Sequence, residues 1–137
     1  MIPLQLYNGG VTIVVAAGND NKDAQNTSPA RVRQAITVAA STIADVKATF
    51  SNFGALVDIW APGLNVISTW NDGKTNMISG TSMATPHVAG FAAYLLGLDS
   101  SLTPAQVAKL IDTKSLKNVL GGVREFFPSC PTLAYRR

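Results

Sequence analysis

Apolar positions follow two different patterns along the chain. Val11–Ala17 (VTIVVAA) is a β-branched run stopped by Gly18-Asn19-Asp20, a turn signal. Such a run, with no polar alternation, predicts a strand buried on both faces, as in a parallel sheet covered by helices. Ala35–Ala40 (AITVAA) and Val57–Trp60 (VDIW) read the same way, and the polar stretch Asp20–Arg33 between the first two reads as a surface loop. Asn65–Trp70 and Thr75–Ser79 flank Asn71-Asp72-Gly73, whose Asp-Gly pair predicts a tight hairpin. From Ser82 to Leu96 nearly every face is small or apolar, which predicts a buried helix. Thr103-Pro104-Ala105-Gln106 then supplies an N-cap, a first-turn proline and a capping-box partner. With Val107, Leu110 and Ile111 on one stripe, a second, amphipathic helix runs to about Lys114. Buried strands followed by helices give an α/β class with a mostly parallel sheet.

Composition narrows this little. The 137 residues are one domain's worth of sequence, 47% hydrophobic and 14% charged, enough for a core. The net charge of +3 is scattered, with only Arg136 and Arg137 adjacent, so no nucleic-acid footprint is present. No glycine-spaced phosphate loop follows a strand, which argues against a nucleotide binder. The single cysteine, Cys130, excludes an intrachain disulfide and a zinc cluster. No apolar stretch is long enough to span a bilayer. Met1–Gly10 has neither the basic start nor the apolar run of a signal peptide.

The chemistry concentrates in Ser79-Gly80-Thr81-Ser82-Met83-Ala84-Thr85-Pro86-His87-Val88-Ala89-Gly90. A serine in the turn ahead of an apolar helix sits at the positive end of the helix dipole, and its own N–H is an orphan donor of the first turn. That suits a nucleophile whose adduct develops an oxyanion, although a serine there can also be a plain helix cap. Gly80 would let the backbone pass close to a substrate. The uninterrupted stretch from Gly80 to Gly90 resembles the serine signature of the subtilisin-like (peptidase S8) proteases, of the proteinase K type. Ala16-Ala17-Gly18-Asn19 is similar to the family's oxyanion motif. Asn26-Thr27-Ser28-Pro29-Ala30, Phe50-Ser51-Asn52-Phe53-Gly54 and Val57-Asp58-Ile59-Trp60-Ala61-Pro62-Gly63 match further family blocks. The likeness runs from about Gly10 to Leu120.

The resemblance implies the C-terminal portion of a catalytic domain: a partial subtilisin-like fold whose central helix begins at the nucleophile. It implies Ser82 as nucleophile, Asn19 as oxyanion donor, and Ala16, Ala17 and Gly18 as one wall of the S1 pocket. Ser28-Pro29 is then the expected cis bond. Chemistry requires no cofactor, but relatives place a calcium ligand at the equivalent of Asp58, joined by the backbone carbonyls at Arg33 and Ala35. The alternative is an aspartate paired with a nearby arginine. Polypeptide substrates and an extracellular location follow from the family. His87, five residues after Ser82, is turned by ~500° and raised ~7.5 Å along a helix, so it is expected to be structural and not the base. The family's aspartate and histidine blocks precede the serine and do not occur here. In subtilisin, losing the serine or histidine costs roughly a million-fold, so the chain alone is expected to be nearly inactive unless it meets the N-terminal half of such a domain. The other reading is a non-catalytic binding module. Residues 121–137 depart from the family as an aberrant tail, and Val123–Cys130 has the look of a translated intron.

Overall fold

The computed structural model describes residues 2–123; of the expected aberrant tail at 121–137, residues 124–137, Cys130 among them, lie outside the described residues. A short helix α1 (Ile2–Asn8) leads to β1 (Val14–Ala16), β2 (Ile36–Ser41) and β3 (Ile59–Pro62). A hairpin of β4 (Val66–Thr69) and β5 (Thr75–Ile78) follows, then helices α2 (Thr81–Leu98) and α3 (Pro104–Lys114). The order β1-β2-β3 is parallel throughout, with Val14 opposite Ile36 and Val38 opposite Ile59. Every residue of β2 is buried, as a continuous apolar run in a parallel sheet requires.

The two faces of the sheet are covered differently. Ile36, Val38, Ala40, Ile59 and Ala61 pack against Ala84, Val88, Ala92 and Leu95 of α2 and Val107 and Ile111 of α3. On the other face Ala39 and Trp60 meet Ala17, Ala24, Ala30 and Val57 from the connecting segments, with Leu120 and Val123 alongside. Among the described residues, loops and a single 3-10 turn at Ala24–Asn26 therefore close that face. The run Val11–Ala17 yields a strand of three residues, and Val11 is exposed. β1 touches core on both faces, Val14 against the α2 side and Val15 with Val32 and Ala35 on the other, but only Val15 is fully buried.

The central helix also differs from expectation. Thr81, Ala84, Val88, Ala92 and Leu95 form one buried stripe at helical spacing, but Ala89, Gly90, Ala93, Tyr94 and Leu98 are exposed. Its apolar character therefore marks two faces, one seated on the sheet and one open among the described residues. α3 matches its sequence signals: Thr103 caps Gln106, whose Oε1 accepts the Thr103 N–H at 2.8 Å. The Ser28-Pro29 bond is cis, as the motif implied.

The start of α2 is fixed to the sheet by a close approach of backbones. Gly80 N–H donates to the Gly63 carbonyl at 2.8 Å, just past β3. A Cβ on Gly63 would lie 2.6 Å from the Ala40 Cβ and 2.8 Å from the Gly80 oxygen, so no larger residue fits. Sheet and helix terminus are thus held in register at the point where the candidate chemistry begins.

Candidate active site

Ser82 is the second residue of α2 and is exposed. Met83 and Ala84 N–H both turn back to the Gly80 carbonyl, whereas Ser82 N–H and Ser82 Oγ have no partner among the described residues. The serine thus presents a free hydroxyl and a free backbone donor at the positive end of a helix. Pro86 lacks an N–H, so the Ser82 carbonyl gets no i+4 donor from it, and the first turn is tied down instead through Thr81. Thr85 Oγ1 donates to the Thr81 carbonyl at 2.8 Å.

Thr81 also fixes the orientation of Asn19. Its backbone N–H and its Oγ1–H both donate to Asn19 Oδ1, each at 2.9 Å. Thr81 Oγ1 in turn accepts the Gly18 N–H at 3.2 Å. Two donors on one amide oxygen assign that oxygen unambiguously and leave Asn19 Nδ2 free to donate elsewhere. Gly80 borders the same space: a Cβ there would stand 3.7 Å from both Asn19 Nδ2 and the Ser82 nitrogen. Its missing side chain keeps the gap between the two free donors open. Two N–H groups converging beside a hydroxyl can stabilise an oxyanion formed on attack at a carbonyl. Thr81 was not singled out by sequence; the available signal was a threonine between the motif's glycine and serine, polar yet fully buried.

The wall expected at Ala16–Gly18 is divided. The Ala17 side chain is fully buried, its N–H goes to the Val38 carbonyl and its carbonyl accepts from Asn52. Ala16 and Gly18 are half-buried and form the part that reaches the surface. Gly18 has φ +103, and a Cβ would meet Asn52 Nδ2 at 2.4 Å, so glycine is obligatory there. His87 does not reach toward Ser82 Oγ. Its Nδ1 lies 2.9 Å from the Met83 carbonyl on its own helix, and the ring is exposed rather than packed within a core.

Asp58, Arg33 and Ala35 line one cavity of ≈ 250 Å³, together with Tyr7 of α1 and Asp112 of α3. Asp58 Oδ2 accepts the Thr37 N–H at 2.7 Å, and no arginine pairs with it among the described residues. Part of Asp58 is open to solvent, but the protein around its carboxylate desolvates it and raises its pKa. The Thr37 N–H opposes this, and the charge of Asp112 adds to it. Calcium takes hard oxygen ligands, carboxylates and backbone carbonyls. No group of three or more His, Cys, Asp or Glu residues suited to a metal occurs among the described residues.

Comparison with known protein families matches residues 4–127 to the subtilase family. The chain belongs to the subtilase family. It is 60% identical over 118 residues to a cuticle-degrading protease of Metarhizium anisopliae, covering 86% of this chain and 30% of that protein. It is 55% identical over 119 residues to the alkaline serine protease ver112 of Corniculantispora psalliotae, covering 87% and 31%. The fold superposes on the crystal structure of a cold-adapted subtilisin-like serine proteinase with a TM-score of 0.92 at 42% identity, over 98% of this chain and 48% of that one. The fold is therefore subtilisin-like, and this subtilase chain spans about a third of the length of the curated relatives it matches.

Proposed function

We propose that this chain supplies the nucleophile and oxyanion half of a serine endopeptidase site. Ser82 Oγ attacks the scissile carbonyl of a polypeptide, and the carbonyl oxygen becomes an oxyanion held by Asn19 Nδ2 and the Ser82 N–H. The Ser82 proton passes to a histidine, oriented by an aspartate, that other sequence supplies. That histidine then protonates the leaving amine as the acyl-enzyme forms, and water releases the acyl group. Ala16 and Gly18 border the P1 side chain, with Ala17 holding the wall from behind. The observation that carries this reading is the double donation from Thr81 to Asn19 Oδ1, which leaves Nδ2 free next to Ser82 N–H.

A structural calcium fits the cavity at Asp58, with the backbone carbonyls of Arg33 and Ala35 as further ligands; it would offset the carboxylate charge and supply no chemistry. An extracellular setting is supported by relatives such as the extracellular serine proteinase of Thermus, 50% identical over 128 residues. The test is hydrolysis of a peptide amide with an apolar P1 residue. The chain alone should show none, and addition of an N-terminal subtilase half bearing the aspartate and histidine should restore turnover. Turnover by the chain alone, or none from a folded complex of the two halves, would overturn the proposal.

A further inference from the structure

Asn52 is fully buried and uses every hydrogen-bonding group of its side chain. Its Oδ1 accepts the N–H groups of Asp20 and Lys22, both at 3.0 Å. Its Nδ2 donates to the Ala17 carbonyl at 2.9 Å and to Thr27 Oγ1 at 3.2 Å. Its own N–H reaches the Gly18 carbonyl at 2.9 Å. One residue therefore binds the main chain on both sides of Asn19, at 17 and 18 before it and at 20 and 22 after it. Neighbouring backbone adds to this: Asn21 N–H donates to the Phe50 carbonyl and Phe53 N–H to the Lys22 carbonyl. Asn19 itself contributes only its side chain to the frame, through Thr81.

We infer that Asn52 is the positioning residue for Asn19. The loop leaving β1 carries no regular structure from Ala17 to Lys22; Ala17 and Asn21 N–H find backbone carbonyls elsewhere, but Asp20 and Lys22 N–H depend on the Asn52 side chain. A side-chain amide can accept two N–H groups with its oxygen while donating twice from its nitrogen, and Asn is the shorter of the two residues that carry one. Aspartate at this position could keep the two acceptor bonds but would set an oxygen against the Ala17 carbonyl. Alanine would orphan three backbone groups at once. Asn52 thus sets the loop, the loop sets the Asn19 Cα, and Thr81 sets the amide rotation. This rests on the reading of Asn19 as oxyanion donor for its catalytic meaning, although the placement itself does not depend on that reading.

The test uses amide hydrogen exchange and the side-chain amide resonances of the full 137-residue chain. In Asn52→Asp at neutral pH, the Asn19 Nδ2 resonances should move and the Thr81 amide should exchange at least tenfold faster, while Val107 and Ile111 in α3 keep their protection. A merely global loss of stability would instead lower protection everywhere together. Acidification should reverse the effect in Asn52→Asp, because the neutral carboxyl regains an O–H donor for the Ala17 carbonyl. Should that variant fail to fold, Thr27→Val, which removes only the Thr27 Oγ1 acceptor, should shift the Asn19 resonances to a smaller extent. Unchanged Asn19 and Thr81 signals in a folded variant, or equal loss across α3, would overturn the inference. Normal turnover of an Asn19→Ala chain assembled with its complementary half would sink the oxyanion reading and leave the Asn52 result standing.

Discussion

Two isoleucines show how differently this chain is built in its two parts. Ile59 on β3 is 1% exposed, between β2 and the inner stripe of α2; Ile67 on β4 is 63% exposed and faces Met77 across the hairpin, which is 54% exposed. Trp70 beside them and Tyr94 and Leu98 on the outer side of α2 are exposed as well. Ile59 is buried in the core against α2 and borders the cavity at Asp58 on one side, and the frame of Asn19, Thr81 and Asn52 grows from the same sheet. Around Ile67 the apolar side chains are open among the described residues. The difference separates what the chain builds by itself from what it offers for contact. Placement of Asn19 and of the start of α2 belongs to the first class.

The largest effect should come from breaking the closed part. Ile59→Ala should cost about 2–5 kcal/mol of unfolding free energy in denaturant titration, since its side chain is buried in the core cluster. Within the same part, Asn19→Ala should leave the fold intact, and in an assembled enzyme should lower kcat roughly 100- to 1000-fold with little change in KM. That is the range found for this donor in the subtilisin family. Gly80→Ala is a finer probe, since the added methyl enters the gap between Asn19 Nδ2 and Ser82 N–H and displaces the substrate carbonyl. A loss of about 100-fold in kcat/KM is expected, with unchanged thermal stability.

These probes also mark how far the sequence was informative. The Gly80–Gly90 motif, the parallel strands and the capping box of α3 were legible because each depends on local residue order or a single period. The open outer face of α2 was not, because an apolar helix reads the same whether its second face is covered or bare. The seven-residue helix α1 carries no cap or clear stripe to announce it. Thr81 and Asn52 were invisible as organisers for another reason: the loop partners they hold lie 62 to 63 and 25 to 35 positions away, joined by the fold.

Asp58 gives a smaller effect with a definite sign. Its folded-state pKa is raised, so the folded chain holds that proton more tightly than the unfolded chain. The stability contributed is full below the ordinary carboxylate range and is lost as pH rises through the folded value. With a chelator present, Asp58→Asn should therefore melt higher than the parent at pH 7, and the gap should close on acidification. Adding calcium should raise the melting temperature of the parent, by up to about 2.7 kcal/mol of stabilisation at a hundredfold excess over Kd, and leave Asp58→Asn unmoved. A calcium response retained in Asp58→Asn would place the ion elsewhere. The smallest expected change is in the open part. Ile67→Lys with Met77→Lys should alter the stability of the chain alone by no more than about 0.5 kcal/mol, yet weaken association with a complementary half in a binding titration.

The central claim is that Ser82 stands in a completed frame and lacks only its base. Intact-mass analysis after treatment with a serine-directed fluorophosphonate tests it most directly. The chain alone should remain unmodified. Addition of a half bearing the aspartate and histidine should give a single adduct on the peptide containing Ser82, absent from Ser82→Ala. Rapid labelling of Ser82 in the chain alone, or an adduct on another residue in the assembled enzyme, would contradict the account.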